Sequence, residues 1–406
     1  MLNDKHDTFG YDHEGYEREM TPKDIICDAN NLYKAYEDTK KSSPWKDATQ
    51  RYEMQWLLEI AHLQEDLQKG EYKSGAKSTF ILRERGKVRL IHGSTVRDRN
   101  MRHCLCDNVL VPSLKSKLIY DNCASLKGKG IGMSRKRLKA HLRKYYKKYG
   151  TNKGYILLLD FSGYYDNIHH EKLVSEVERH IKDEYVLWLV REILKTFEVD
   201  VSYMSNDELL QAMETKFSAL EHFKIPYELK TGEKFLKKSV DIGDQCSQIL
   251  GIYFPTRLDN LIKIVYGEKF DARYMDDSYI ISNSKERLIE LRDTLIEKAK
   301  EMGIIINLKK TMICKLSTQF TFLQHRYFLT ESGKVVEKIN PKRVTATRRK
   351  LKKLHKKLME GKVEFSDIET SFNSWMGSHY KVMSNRQRKN MNDLYNSLYA
   401  DYLKVN

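Results

Sequence analysis

Asp276 and Asp277 stand side by side within an apolar, β-branched stretch, Ala272-Arg273-Tyr274-Met275-Asp276-Asp277-Ser278-Tyr279-Ile280-Ile281. Two like charges among apolar neighbours are costly unless something positive holds them. Divalent magnesium is the natural partner, and the pair reads as the turn of a β-hairpin that presents carboxylates to metal. Asp160 repeats the grammar, closing the apolar run Tyr155-Ile156-Leu157-Leu158-Leu159. Two strands that both end in aspartate can assemble a two-metal site, with one ion activating an attacking oxygen and the other steadying the leaving group. Extension of a nucleic acid by in-line phosphoryl transfer is chemistry of this kind.

The elements that must position these carboxylates follow from periodicity. Residues 1–22 are polar and read as a tail, and apolar residues then recur at helical spacing from about 23 to 72, where Gly70 marks a stop. Residues 79–92 alternate as two strands around Arg85-Gly86, a helix is predicted over 99–111, and a basic helix over 135–148. After the strand ending at Asp160 come a helical region over 170–196, a less regular insertion over 197–240, and a helix over 245–265. The aspartate hairpin precedes a helix (284–301), a strand (303–307), a lysine-bearing turn, another strand and a further hairpin near 320–336. Pro341 opens a basic helix over 342–360 with Leu351, Leu354 and Leu358 on one face. The pattern predicts an α+β fold, an antiparallel sheet with helices on one face.

Composition points the same way. The 406 residues carry 72 Lys+Arg against 56 Asp+Glu, formally +16, with 25 tyrosines. Such a surface tracks phosphates and stacks bases. The six cysteines show no paired CxxC spacing, so reduced, mostly buried thiols are expected rather than a zinc site. With no apolar signal core and no membrane-length run, a soluble cytoplasmic protein is expected.

The motifs, in their order, resemble prokaryotic reverse transcriptases, above all those of diversity-generating retroelements and related enzymes that include antiphage defence systems. The likeness spans roughly residues 30 to 385. It rests on Gly86-Lys87-Val88-Arg89-Leu90-Ile91, Gly128-Lys129-Gly130, Asp160-Phe161-Ser162-Gly163-Tyr164-Tyr165-Asp166 and Ile242-Gly243-Asp244-Gln245-Cys246-Ser247-Gln248. Tyr274-Met275-Asp276-Asp277, Asn307-Leu308-Lys309-Lys310-Thr311, Phe322-Leu323 and Ser374-Trp375-Met376-Gly377-Ser378-His379 complete it. Two departures stand out: no glycine follows Phe322-Leu323, and the stretch from Asp166 to Asp241 is long.

The resemblance implies a right-hand polymerase, with N-terminal helices and fingers over 23–150, palm over 151–338 and helical thumb over 339–406. It implies two magnesium ions on Asp160, Asp276, Asp277 and the carbonyl of Phe161, with Lys310 as general acid for pyrophosphate. Lys87 and Arg89 would meet the triphosphate, Tyr165 would gate the sugar, and Gly243 and Gln248 would line the nucleotide pocket. Lys127, Lys129, Arg135, Arg137, Arg348 and Lys352 would follow phosphates; His379 and Trp375 either meet the minor groove or pack the thumb. For most of these cations the plain alternative is a solvated surface charge.

The expected activity is RNA-directed DNA synthesis from dNTPs, on a dedicated structured noncoding RNA, extending a DNA primer or a protein hydroxyl. An accessory protein or a homo-oligomer is compatible with this, and no stretch is left over for an RNase H or endonuclease domain. The output is either antiphage defence, which the departures favour, or retroelement diversification. The rivals are an RNA-dependent RNA polymerase, which a small residue at position 165 would have supported, and a catalytically idle RNA-binding or maturase-like protein. A pure binder has no reason to keep three carboxylates facing RNA phosphate.

Overall fold

The structure, a computed structural model, describes residues 9–11, 17–84 and 87–403. Arg85 and Gly86 of the expected fingers turn, and most of the polar tail, lie outside these residues; within the tail, Phe9–Tyr11 pairs with Glu17–Glu19. The first long helical stretch begins where local chemistry demands. Thr21 and Asp24 form a reciprocal capping box, with Pro22 in the first turn of the helix Pro22–Cys27. Helices Ala29–Lys41, Asp47–Met54 and Trp56–Lys69 follow, and Gly70, at φ 71°, ends the last.

The chain divides into two compact units. The first comprises 1–134, 159–278 and 290–311; the second comprises 135–158, 279–289 and 312–406. In the first, the strands Ser78–Glu84 and Lys87–Gly93 form the expected hairpin. The helix predicted over 99–111 starts earlier, as Val96–Leu105, and runs through a π-turn at Cys106–Leu110 into Val111–Lys115. The helix predicted over 245–265 is broken into Gln245–Tyr253, Thr256–Asn260 and a π-turn, because Pro255 cannot donate to the helical ladder. The strand expected over 303–307 reduces to a single bridge, Phe161 with Ile306.

A four-stranded sheet has the order Met312–Lys315, Tyr155–Asp160, Asp277–Ser282, Asp271–Tyr274. Its two central strands are buried almost throughout, which is why they read as continuous apolar runs. The aspartates lie where those runs stop.

The second unit holds a three-stranded antiparallel sheet, Phe320–Phe322, His325–Leu329 and Val335–Ile339, and the helices Pro341–Met359, Phe365–His379 and Asn385–Leu403. Leu351, Ile368, Phe372, Met376, Met391, Tyr395 and Tyr399 form its core, with Leu354 and Leu358 packed against it. The rings of Phe372 and Tyr395 stack at 4.0 Å.

The sheet carries a buried polar knot. Glu337 pairs with His325 Nδ1 at 2.8 Å and accepts from Tyr327 Oη at 2.9 Å and Lys139 Nζ at 2.5 Å. Burial pushes its pKa up, but these hydrogen bonds outweigh burial and hold it at about 2, against an ordinary 4.5. A carboxylate depressed in the native state contributes stability above pH 4.5 that is lost as pH falls toward 2. With the side chain 12% exposed, Glu337→Gln should cost about 2–3 kcal/mol at pH 6. Urea unfolding should show that gap closing below pH 4.5; an undiminished gap at low pH would exclude this account.

Candidate active site

Asp160 is buried to 8% exposure at the end of its strand. Lys310 Nζ donates to both its carboxylate oxygens at 3.0 Å, and Asn307 Nδ2 donates to Oδ2 at 3.0 Å. The same turn is tied by main chain, Asn307 N donating to Asp160 O at 2.8 Å. Burial opposes the charge on Lys310, yet Asp160, and then Asp277 and Asp276, raise its pKa above the ordinary lysine value. Asp160 is therefore the carboxylate in contact with Lys310, and the charges of Asp277 and Asp276 act on the same ammonium from farther away.

The hairpin turn that brings two of them is strained and anchored. Met275 lies at φ 55°, in the left-handed region, which costs a side-chain-bearing residue about 1–2 kcal/mol. Arg273 Nη1 donates to Met275 O at 3.3 Å, and Phe161 N donates to Asp276 O at 3.3 Å. The hydroxyls of Tyr165 and Ser125 meet Met275 Sδ at 3.6 and 3.8 Å. Arg273 is itself 2% exposed, paired in bidentate fashion with buried Asp259 and donating to Ile252 O at 2.7 Å. Asp259, Arg273 and Asn307 were not among the residues singled out from sequence. A cation on an apolar strand was the available signal for Arg273.

Among the described residues no three His, Cys, Asp or Glu side chains stand close enough to hold one ion. The ammonium of Lys310 takes the oxygens of Asp160 that an ion would use. The donor set still suits a hard divalent cation: carboxylates, with a lysine standing where positive charge is required. The main chain adds an oxygen. Ser162 N→Ile305 O and Asn307 N→Asp160 O flank the Phe161–Ile306 bridge, so the N–H and C=O of Phe161 face away from Ile306, toward the side where Asp276 lies.

Beside the carboxylates, the ring of Tyr165 lies over Gly251; a Cβ there would meet Tyr165 Oη at 3.0 Å. Gln248 accepts from Ser125 Oγ at 3.3 Å. Gly243 is exposed, with nothing near where a side chain would project. Its loop is pinned by Asp244, which caps the helix Gln245–Tyr253 at Ser247 N and pairs with buried Arg102 at 2.7 Å. Arg89 is half-buried on Lys87–Gly93; that strand begins at Lys87.

The expected phosphate-tracking residues separate into classes. Lys127 is exposed, as are Arg348 and Lys352 on the helix Pro341–Met359. Lys129 Nζ is engaged by the carbonyls of Tyr120 and Asn122, each at 2.7 Å. Arg137 lies 3.2 Å from His141 Nε2. Arg135 is half-buried and donates to Leu323 O at 2.7 Å. His379 is buried, with its ring stacked on Trp375 at 4.9 Å and Nδ1 2.9 Å from Trp375 O.

The turn without its glycine is indeed unusual: Leu323 and Gln324 both have positive φ, 41° and 74°. Leu323→Gly should therefore stabilise the chain by about 1 kcal/mol, read as a raised urea midpoint. A loss of stability would show that Leu323 packing matters more than its strain.

A mixed fold of helices and antiparallel sheets, with paired aspartates at the strand ends of a buried sheet, is a right-hand polymerase. The family model described as reverse transcriptase (RNA-dependent DNA polymerase) matches residues 76–327, and the chain belongs to that family. Among solved structures it is similar to apo telomerase from Candida tropicalis, at 13% identity over 69% of this chain and 53% of that one, with a TM-score of 0.42. A form of that telomerase truncated from its C-terminal domain gives 13% identity, 68% and 59% coverage, and a TM-score of 0.40. The chain spans little more than half the length of these telomerase chains. No curated protein matches it. Among the described residues, no helix is long and apolar enough to cross a membrane.

Proposed function

We propose that this chain is an RNA-directed DNA polymerase that adds deoxynucleotides to a 3′-hydroxyl along a dedicated structured noncoding RNA, in a prokaryotic defence system. The observation that carries the reading is the tie between the end of the Asp160 strand and the aspartate turn, where Phe161 N donates to Asp276 O at 3.3 Å beside the Asp160–Lys310 pair. Asp160, Asp276, Asp277 and the carbonyl of Phe161 would hold two magnesium ions. Those ions would activate the attacking oxygen and steady the departing pyrophosphate. Lys310 Nζ, protonated at neutral pH, would supply a proton to the pyrophosphate oxygen. Arg89 and Lys87 would meet the triphosphate, while Gly243 and Gln248 would line the nucleotide side of the pocket. The hand divides as fingers over 23–150, palm over 151–338 and thumb over 339–406, where Arg348 and Lys352 lie along the duplex backbone.

Tyr165 would exclude a 2′-hydroxyl by clash. Gly251→Ala places a methyl against its ring, so the ratio of dNTP to NTP incorporation should change about three- to tenfold, with little change in Tm. An unchanged ratio would remove Tyr165 from the gate. The RNA assignment is tested by purifying the protein with its bound RNA, supplying dNTPs, and sequencing both strands. DNA complementary to one co-purifying RNA is expected; product unrelated to any bound RNA would sink the dedicated-template reading.

A further inference from the structure

The insertion over 197–240 is not loose excess chain. Val201, Phe217, Ala219 and Leu236 form a small core of their own, and Leu209, Ala212 and Met213 pack against it. Leu90 joins that core from the strand Lys87–Gly93, and the helix Ala219–Phe223 lies against the same strand. Successive side chains on a strand point to opposite faces, so Leu90 turned into this core leaves Arg89 on the other face.

The insertion is also stitched to the turn that carries the gate. Asn167 Nδ2 donates to Phe217 O at 3.1 Å, and Phe217 N donates to Asn167 Oδ1 at 2.8 Å. Both bonds are buried, and Asn167 shares a 3₁₀ turn with Tyr165. Val240 N donates to Tyr165 O at 2.9 Å where the chain leaves the insertion. Between these ties, Lys238 is fully buried and donates to the carbonyls of Ala212, Met213 and Thr215, closing the C-terminal end of the helix Asn206–Glu214.

We propose that the insertion is a brace between the strand bearing Arg89 and the turn bearing Tyr165. Phe217 is its central positioning residue, with main chain on the gate turn and ring in the core that grips Leu90. The brace sets the spacing between the group that meets the triphosphate and the group that checks the sugar. Its functional side rests on the polymerase reading above; its mechanical side does not.

The test uses the full chain as Phe217→Ala, Phe217→Leu and Leu90→Ala. Hydrogen–deuterium exchange should quicken together in residues 87–93 and 163–168 of Phe217→Ala, and Phe217→Leu should restore most of the protection. Acceleration confined to 197–240 would overturn the brace, whether or not the protein polymerises. In steady-state incorporation, KM for dNTP should rise about tenfold in Phe217→Ala and Leu90→Ala. The kcat and the affinity for primer–template should stay within about twofold, with dNTP:NTP discrimination reduced. A drop in kcat alone, in proportion to the fraction unfolded, would mean plain destabilisation and overturn the positioning role. Leu90→Ala approaches the brace from the strand side, so failure of Phe217→Ala to fold still leaves an outcome. An inactive wild-type protein with coupled exchange would reject the polymerase reading and keep the brace; an active one with uncoupled exchange would do the reverse.

Discussion

Asp276→Asn is expected to lower nucleotide incorporation by about a thousandfold or more while leaving the fold intact. The substitution keeps shape and removes charge. The turn is held through main chain, by Arg273 on Met275 O and by Phe161 N on Asp276 O, and neither bond needs the carboxylate of Asp276. What is lost is one of the negative charges that act on the ammonium of Lys310 beside Asp160. Rapid-quench incorporation with urea unfolding alongside separates the two effects. A variant within tenfold of wild type, equally folded, would show that Asp276 is not part of the reacting machinery.

Arg273→Met is expected to cost about 3–5 kcal/mol of stability, the range for breaking a buried ion pair from one side. Asp259, 3% exposed, would be left as an unpaired charge, and Met275 O would lose a donor. Removing both partners, as Arg273→Met with Asp259→Leu, should recover most of the stability, because two desolvation penalties vanish with the attraction. It should not recover activity, because the strained Met275 turn remains unanchored. Urea midpoints and incorporation rates on the two variants read these outcomes. A loss below about 1 kcal/mol in the single variant would mean that water reaches the site and screens it.

These two residues also mark the boundary of what the sequence disclosed. Asp160, Asp276 and Asp277 were legible because carboxylates closing apolar runs contradict burial unless they have a use. The strands around them followed from the same runs. Arg273 was not legible, since its meaning lies in Asp259, which precedes the hairpin and reaches it only through tertiary packing. The break at Pro255 was legible in principle, for a proline interrupts any helical ladder. The strand expected over 303–307 failed because a β-branched run fixes propensity, not the presence of a partner; only Ile306 finds one. The insertion read as irregular because its elements are two to nine residues long, too short for periodicity to register. His379 and Arg135 show the limit for cations: type and spacing do not reveal that one ring is stacked on Trp375 and one guanidinium holds a turn carbonyl.

The measurement that tests the central claim most directly is incorporation by the purified protein on a primed RNA template in magnesium, with dNTPs and NTPs supplied separately and Asp276→Asn as the control. DNA product from the intact protein, absent from the variant and at least about a hundredfold above NTP incorporation, is the predicted result. RNA product, or equal DNA product from the variant, would contradict it.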